Sequence, residues 1–333
     1  MTADRTADRS RDADPAGLLA AASAGDRLAL ARLLSAVERG GPRGRQVAGL
    51  AYRDGAVAPT VGITGAPGAG KSTLTGRLVA EARASGLGQV AVLAVDPSSP
   101  FTGGAILGDR IRMQDHALDH GVYIRSLATR GHLGGLTVAV PEALRVLSAA
   151  GMPLVFVETV GVGQVEVEVA SATDTTVVVV NPRWGDAVQA NKAGLLEVAD
   201  LFVINKADMP GARETRRDLE QMLDMSAVGD WRPPIVDTVA STGDGVAVLW
   251  SEIRRHQELL AAGGILAERR RRRLEQELRR VLMARIAAEA DRLLAADGFR
   301  SVADEVAGGR IDPYDAADRL LAEVGRAAGN RPT

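Results

Sequence analysis

The chain has 333 residues, 46% hydrophobic and 25% charged, the balance of an ordinary soluble fold and enough for one large α/β domain with helical additions. A net charge of −2 sets up no field that draws in nucleic acid, and 3% aromatic residues leave no stacking surface. The absence of cysteine excludes disulfides and thiolate metal sites. The opening run MTADRTADRSRDAD lacks the apolar core of a signal peptide, and no apolar stretch approaches the ~18 residues of a membrane span. A soluble, cytoplasmic protein is expected.

Residues 1–14 hold too little apolar side chain to offset ordering, and read as a disordered tail. Apolar residues then recur at helical spacing through LLAAASAGDRLALARLLSAVE, predicting a helical N-terminal extension over 15–55. From 56 the texture changes. Short Val- and Ile-rich runs at 61–64, 90–96, 122–127, 153–158, 175–181, 201–205 and 235–238 read as strands. Helical patterns lie between them at 72–84, 138–150, 187–198 and 213–223. Continuous apolar strands separated by helices predict an α/β domain over 56–262: a doubly wound, mostly parallel sheet covered on both faces. Ligands in such sheets sit at the carboxyl ends of the strands.

Beyond about 246 no strand pattern remains. A helix is predicted at 249–260, Gly263 and Gly264 break it, and one long helix follows at 265–296. Leu274, Leu278, Val281, Leu282 and Ile286 fall three and four residues apart and form one apolar stripe. That stripe needs a partner, either the same chain or a second copy, and residues 263–333 read as a helical arm.

Gly65-Ala66-Pro67-Gly68-Ala69-Gly70-Lys71-Ser72 fits G-x₄-G-K-[ST], directly after a strand and opening a helix. Its glycines let backbone N–H groups converge on a phosphate at the positive end of a helix. Lys71 reaches the β/γ-phosphates and the Ser72 hydroxyl can ligate Mg²⁺. This pattern predicts phosphate binding but does not choose the base. The strand at 201–205 ends in Asn205-Lys206-Ala207-Asp208, the N-K-x-D order of guanine-specific proteins. A carboxylate at Asp208 accepts from both N1–H and the exocyclic amine of guanine, whereas adenine would leave it unpaired. Asn205 and Lys206 would brace the loop and the base. Val239, Ala240 and Ser241, before Gly243-Asp244-Gly245, can supply a backbone N–H to guanine O6.

Three carboxylates stand at or just after strand ends: Asp96, Asp109 and Glu158. Hard oxygen ligands at that edge suit Mg²⁺, although each acid alone could equally cap a helix. Glu158-Thr159-Val160-Gly161 stands where many GTPases carry Asp-x-x-Gly. His116 and His120, spaced i, i+4, have no third ligand nearby and read as structural rather than zinc-binding. The five arginines Arg269–Arg273 read as a solvated face, or as paired with acids such as Glu275 and Glu277, in preference to a nucleic-acid contact.

Together these segments resemble the MeaB/ArgK family of P-loop GTPases, the chaperones associated with methylmalonyl-CoA mutase. The resemblance is carried by Gly62–Thr73, Val95-Asp96-Pro97-Ser98-Ser99-Pro100, Thr102–Arg110, Arg125-Ser126, Arg130-Gly131, Gly134-Gly135-Leu136, Glu158–Gln164 and Asn205–Asp208. It implies a SIMIBI-type G domain of the metal- and cofactor-delivery class and a C-terminal arm over 263–333 that forms a homodimer. The implied activity is GTP hydrolysis to GDP and phosphate. The implied client is an adenosylcobalamin-dependent methylmalonyl-CoA mutase or a related acyl-CoA mutase, whose cofactor loading and reactivation it gates. Carried over by position, the Mg²⁺ shell would be Ser72, Asp96, Asp109, Glu158 and Thr159; Arg112 lies where a family arginine reaches the nucleotide, and Thr73 counts with the cradle among the nucleotide-binding residues. A switch loop corresponds to 182–192, with Lys192 as charge stabiliser. Arg183 there departs from the family's usual glycine and restricts that backbone. Gln164 is the candidate for orienting water, in the absence of a stronger one. The other readings are a nickel- or cobalt-delivering GTPase, opposed by the lack of Cys/His tracts, and an ATP-dependent small-molecule kinase, opposed by Asn205–Asp208.

Overall fold

A computed structural model describes residues 14–97, 116, 118–129, 139–159, 171–182, 198–225, 231–295 and 297–329. Among the described residues three helices come first: α1 (Pro15–Ser23), α2 (Arg27–Arg39) and α3 (Gly41–Asp54). Composition assigned Asp14 to the tail, yet its carboxylate accepts from Ala16 N and Gly17 N and caps α1, with Pro15 in the first turn. Asp26 caps α2 in the same way, on Leu28 N at 2.8 Å and Ala29 N at 3.1 Å.

Then follow β1 (Thr60–Gly65), α4 (Lys71–Ala84), β2 (Val90–Pro97), β3 (Val122–Thr129), α5 (Ala139–Ala149), β4 (Val155–Thr159), β5 (Thr175–Val180) and β6 (Leu201–Asn205). The sheet is completed by α6 (Ala212–Met225), β7 (Ile235–Thr238) and α7 (Val246–Ala262). All seven strands pair in parallel in the order β3-β2-β4-β1-β5-β6-β7. The expected helix at 187–198 lies outside the described residues apart from its last position.

The strands are buried on both faces, so their side chains divide by alternation. On β2, Ala91, Leu93 and Val95 join Leu30, Leu33 and Leu34 of α2 and Val140, Ala143 and Leu147 of α5 in one core. Val90 and Val92 turn the other way, into a second core with Leu74 and Leu78 of α4 and Leu249 and Ile253 of α7. A third, smaller core sets Leu219 and Leu223 of α6 on Val178, Phe202 and Ile204. The N-terminal helices therefore cover one face of the sheet rather than leading into it. Polar ties fix them there: Arg125 of β3 reaches Ser35 Oγ at 3.0 Å and Glu38 Oε2 at 2.6 Å, and Arg27 reaches the carbonyls of His120 and Val122.

The long helix α8 (Ile265–Leu294) follows, and the chain divides into two compact units between Arg270 and Arg271, within that helix and beyond the glycine break. The second unit holds the rest of α8 with α9 (Asp297–Ala307) and α10 (Pro313–Gly329). Val302 and Ala316 are buried there, and Arg319 pairs with Glu305 at 3.0 Å. The stripe residues Leu278, Leu282 and Ile286 are 69%, 54% and 54% exposed. Among the described residues no helix is long and apolar enough to cross a membrane.

Candidate nucleotide-binding site

β1 is central in the sheet and delivers the chain into the Gly65–Ser72 loop at the carboxyl edge. Gly65 takes φ +132, and a Cβ there would stand 2.0 Å from the Val179 carbonyl oxygen of β5. Gly70 takes φ +88, and a Cβ would stand 2.3 Å from Asn205 Nδ2. Only glycine permits the loop to turn this tightly against its neighbours. Lys71 opens α4 and is buried; its Nζ donates to Gly65 O at 2.6 Å and Ala66 O at 3.0 Å, curling over the loop. The first turn of α4 and the positive end of its dipole face the same place, a ready anion site. Pro67, Gly68 and Thr73 are exposed on its rim.

Beside the cradle, Ser72 Oγ donates to Glu158 Oε1 at 2.5 Å. Glu158 ends β4 and is 1% exposed, and the adjoining Thr159 Oγ1 donates to Thr64 Oγ1 at 3.2 Å. A hydroxyl and a carboxylate oxygen converging at the edge of a phosphate cradle form a hard-oxygen donor set, which fits Mg²⁺ and not a softer ion. Asp96 sits near the end of β2, in register with Ala128 of β3, which brings its backbone to the same edge. The expected Asp109, Arg112, Gln164 and Lys192 lie outside the described residues. His116 Nε2 lies 2.8 Å from Gly76 O of α4, a structural contact in keeping with its sequence reading.

The base side is built from two further loops. Asn205 is 2% exposed and its amide is engaged at both ends: Nδ2 donates to Ala69 O at 2.7 Å, while Oδ1 accepts from Thr238 Oγ1 at 3.2 Å and Ala240 N at 3.0 Å. Lys206 holds φ +59, unusual for a residue with a side chain, and its Nζ donates to Gly68 O at 2.9 Å. Asp208 is exposed beyond them, open to a ligand. Residues 239–245 form a tight turn closed by the Val239–Asp244 bridge, with Gly245 packed where a Cβ would stand 2.0 Å from Asp237 O. The three loops that sequence singled out are thus bonded to one another at a single edge of the sheet.

A family model described as methylmalonyl-CoA mutase-associated GTPase MeaB matches residues 30–293. The chain belongs to the MeaB family. Like the family, it is a GTPase. It is 49% identical over 305 residues to a predicted GTPase of Pyrococcus abyssi, covering 90% of this chain and 94% of that one. It is 38% identical over 269 residues to the GTPase ArgK of Escherichia coli, covering 77% and 80%. The crystal structure of a LAO/AO transport system kinase superposes with a TM-score of 0.69 at 28% identity, over 94% of this chain and 98% of that one. The matched MeaB span takes in the cradle, the Asn205 loop and the turn at 239–245, so the geometry and the likeness concern the same residues.

One contact of the MeaB-type site had no sequence signal. Arg77, on α4, donates from Nε to Ala240 O at 3.1 Å and from Nη2 to Ser241 O at 2.8 Å. A single arginine on the exposed side of a helix has no motif to mark it.

Proposed function

We propose that the protein binds GTP with Mg²⁺ in this cradle and uses hydrolysis as a switch that gates an adenosylcobalamin-dependent acyl-CoA mutase, methylmalonyl-CoA mutase or a close relative. The family model's own description, mutase-associated GTPase, carries the client assignment. In this reading the loop N–H groups and Lys71 hold and orient the phosphates, and Asp208 reads the guanine edge. Ser72 and Glu158, with Thr159, Asp96 and Asp109, would hold the metal, whose chemistry is to neutralise charge on the phosphate oxygens. Lys192 and Arg112 would meet charge on the nucleotide, and Gln164 would orient water. None of these is a strong general base, so turnover of the protein alone is slow and a partner accelerates it.

The apolar face of α8 supports a second part of the proposal, a homodimer formed through the C-terminal arm. The protein would act in the cytoplasm beside its client. Capture from native lysate on the tagged full chain, loaded with a non-hydrolysable GTP analogue, tests the client. Recovery of a cobalamin-dependent mutase is expected; recovery of none, with the protein demonstrably loaded, opposes the reading.

A further inference from the structure

The turn at 239–243 has all but one of its backbone donors committed within the protein. Val239 N donates to Asp244 O at 3.0 Å, and Thr242 N and Gly243 N both donate to Val239 O, at 3.1 and 2.9 Å. Ala240 N is committed to Asn205 Oδ1 at 3.0 Å. Among the described residues, Ser241 N–H is the donor of this turn that meets no protein acceptor. Its direction is set by the peptide it belongs to. In a trans peptide the N–H points opposite to the preceding carbonyl, and the Ala240 carbonyl is gripped by Arg77 Nε at 3.1 Å. The Ser241 N–H therefore projects from the edge of the turn that faces away from Arg77.

We propose that Arg77 is a positioning residue for base recognition: it aims the Ser241 N–H at guanine O6 and locks the base-reading turn to the helix that holds the phosphates. The inference rests on the guanine-nucleotide reading above and names the donor and its support within it. Arg77 is well suited to the task. Its two donors engage two successive carbonyls, Ala240 O and Ser241 O, a planar two-point grip that lysine cannot copy. It forms no ion pair among the described residues, so its charge is given to these carbonyls. It also lies on α4, the helix opened by Lys71 and Ser72. Asn205 makes the corresponding tie from the loop side, through Ala69 O and Ala240 N. Phosphate cradle, Asn205 loop and base-reading turn thus form a closed ring, with Arg77 as the link back to α4. A nucleotide bridges base and phosphate at a set separation, so that ring fixes the spacing the ligand must match.

The test uses the full chain and three diphosphates, those of guanosine, inosine and 2-aminopurine riboside. The first two carry O6 and the third does not. For Arg77→Met, affinity for GDP and IDP is expected to fall about tenfold together, the size of a lost charge-assisted contact. Affinity for the 2-aminopurine diphosphate should stay within about twofold. Arg77→Lys should recover part of the GDP affinity by reaching one carbonyl, with thermal melting of both variants close to that of the parent. Unchanged GDP affinity in Arg77→Met, or an equal fall for all three ligands in both variants, would overturn the assignment. A parent protein that does not prefer GDP over ADP and the 2-aminopurine diphosphate would instead overturn the guanine reading itself, and this inference with it.

Discussion

A methyl group added at Gly65 would stand 2.0 Å from the Val179 carbonyl oxygen, and the backbone of a central strand has nowhere to move. Gly65→Ala is expected to cost at least ~2 kcal/mol in urea unfolding, through strain that relaxation cannot relieve. Gly68→Ala is the control: its φ of +74 is equally left-handed but a Cβ meets open space, so the cost is about 1 kcal/mol. The buried Ser72–Glu158 pair gives a second residue-level prediction. Glu158→Gln keeps the shape and removes the charge, so the Mg²⁺ concentration that half-activates hydrolysis should rise about tenfold or more. GDP binding without the metal should change little; an unchanged Mg²⁺ requirement would remove Glu158 from the shell. The cradle was legible in sequence because its backbone demands rare residue types, glycine at set spacing and one lysine. Arg77 was not, because its acceptors are carbonyls, and any residue supplies those.

At the scale of elements, the far edge of the sheet holds a second polar cluster, where α8 begins. Asp174 and Asp200 precede β5 and β6 and satisfy strand-end donors, Thr60 N at 3.2 Å and Thr176 N at 2.8 Å. Arg270 grips Asp174 at 2.6 Å and Arg269 reaches Asp200 at 3.0 Å. His256 Nε2, fully buried on α7, lies 3.3 Å from Asp200. Burial alone would raise the Asp200 pKa, but the imidazole beside it, then Arg269 and the Thr176 N–H, outweigh burial and hold it below the ordinary range. A carboxylate whose folded pKa is depressed contributes stability above its unfolded value, about 3.9, and loses it as the pH falls further. Asp200→Asn should therefore cost about 3 kcal/mol in urea unfolding at pH 7. The difference from the parent should shrink as the pH falls below about 4. A penalty that did not depend on pH would mean the charge is not what matters. Sequence read Arg269–Arg273 as a solvated face or as paired locally; that holds for Arg271, which pairs with Glu275. Arg269 and Arg270 instead reach acids far back in the chain. Such pairing leaves no periodic trace, so no reading of local pattern finds it.

Across the whole molecule, fold class was legible and strand order was not. Buried parallel strands announce themselves as continuous Val/Ile runs, and all seven begin and end within two residues of their expected bounds. Insertion of β4 between β1 and β2 depends on crossovers that no single segment encodes. The structural weight of the N-terminal helices was likewise hidden, since an amphipathic pattern does not say which surface it covers. On α8, Leu282 is 54% exposed within the apolar stripe proposed as a dimer face. Leu282→Asp should weaken self-association at least tenfold by sedimentation without lowering the GDP affinity of the protein. Unaltered association would place the contact elsewhere.

The central claim joins the cradle to a client, and one rate tests it most directly: GTP hydrolysis by the full chain with Mg²⁺, alone and with a purified adenosylcobalamin-dependent acyl-CoA mutase. The account predicts slow turnover alone and an acceleration of about tenfold or more on adding the mutase, lost in Lys71→Ala. Fast turnover alone that the mutase leaves unchanged would contradict it.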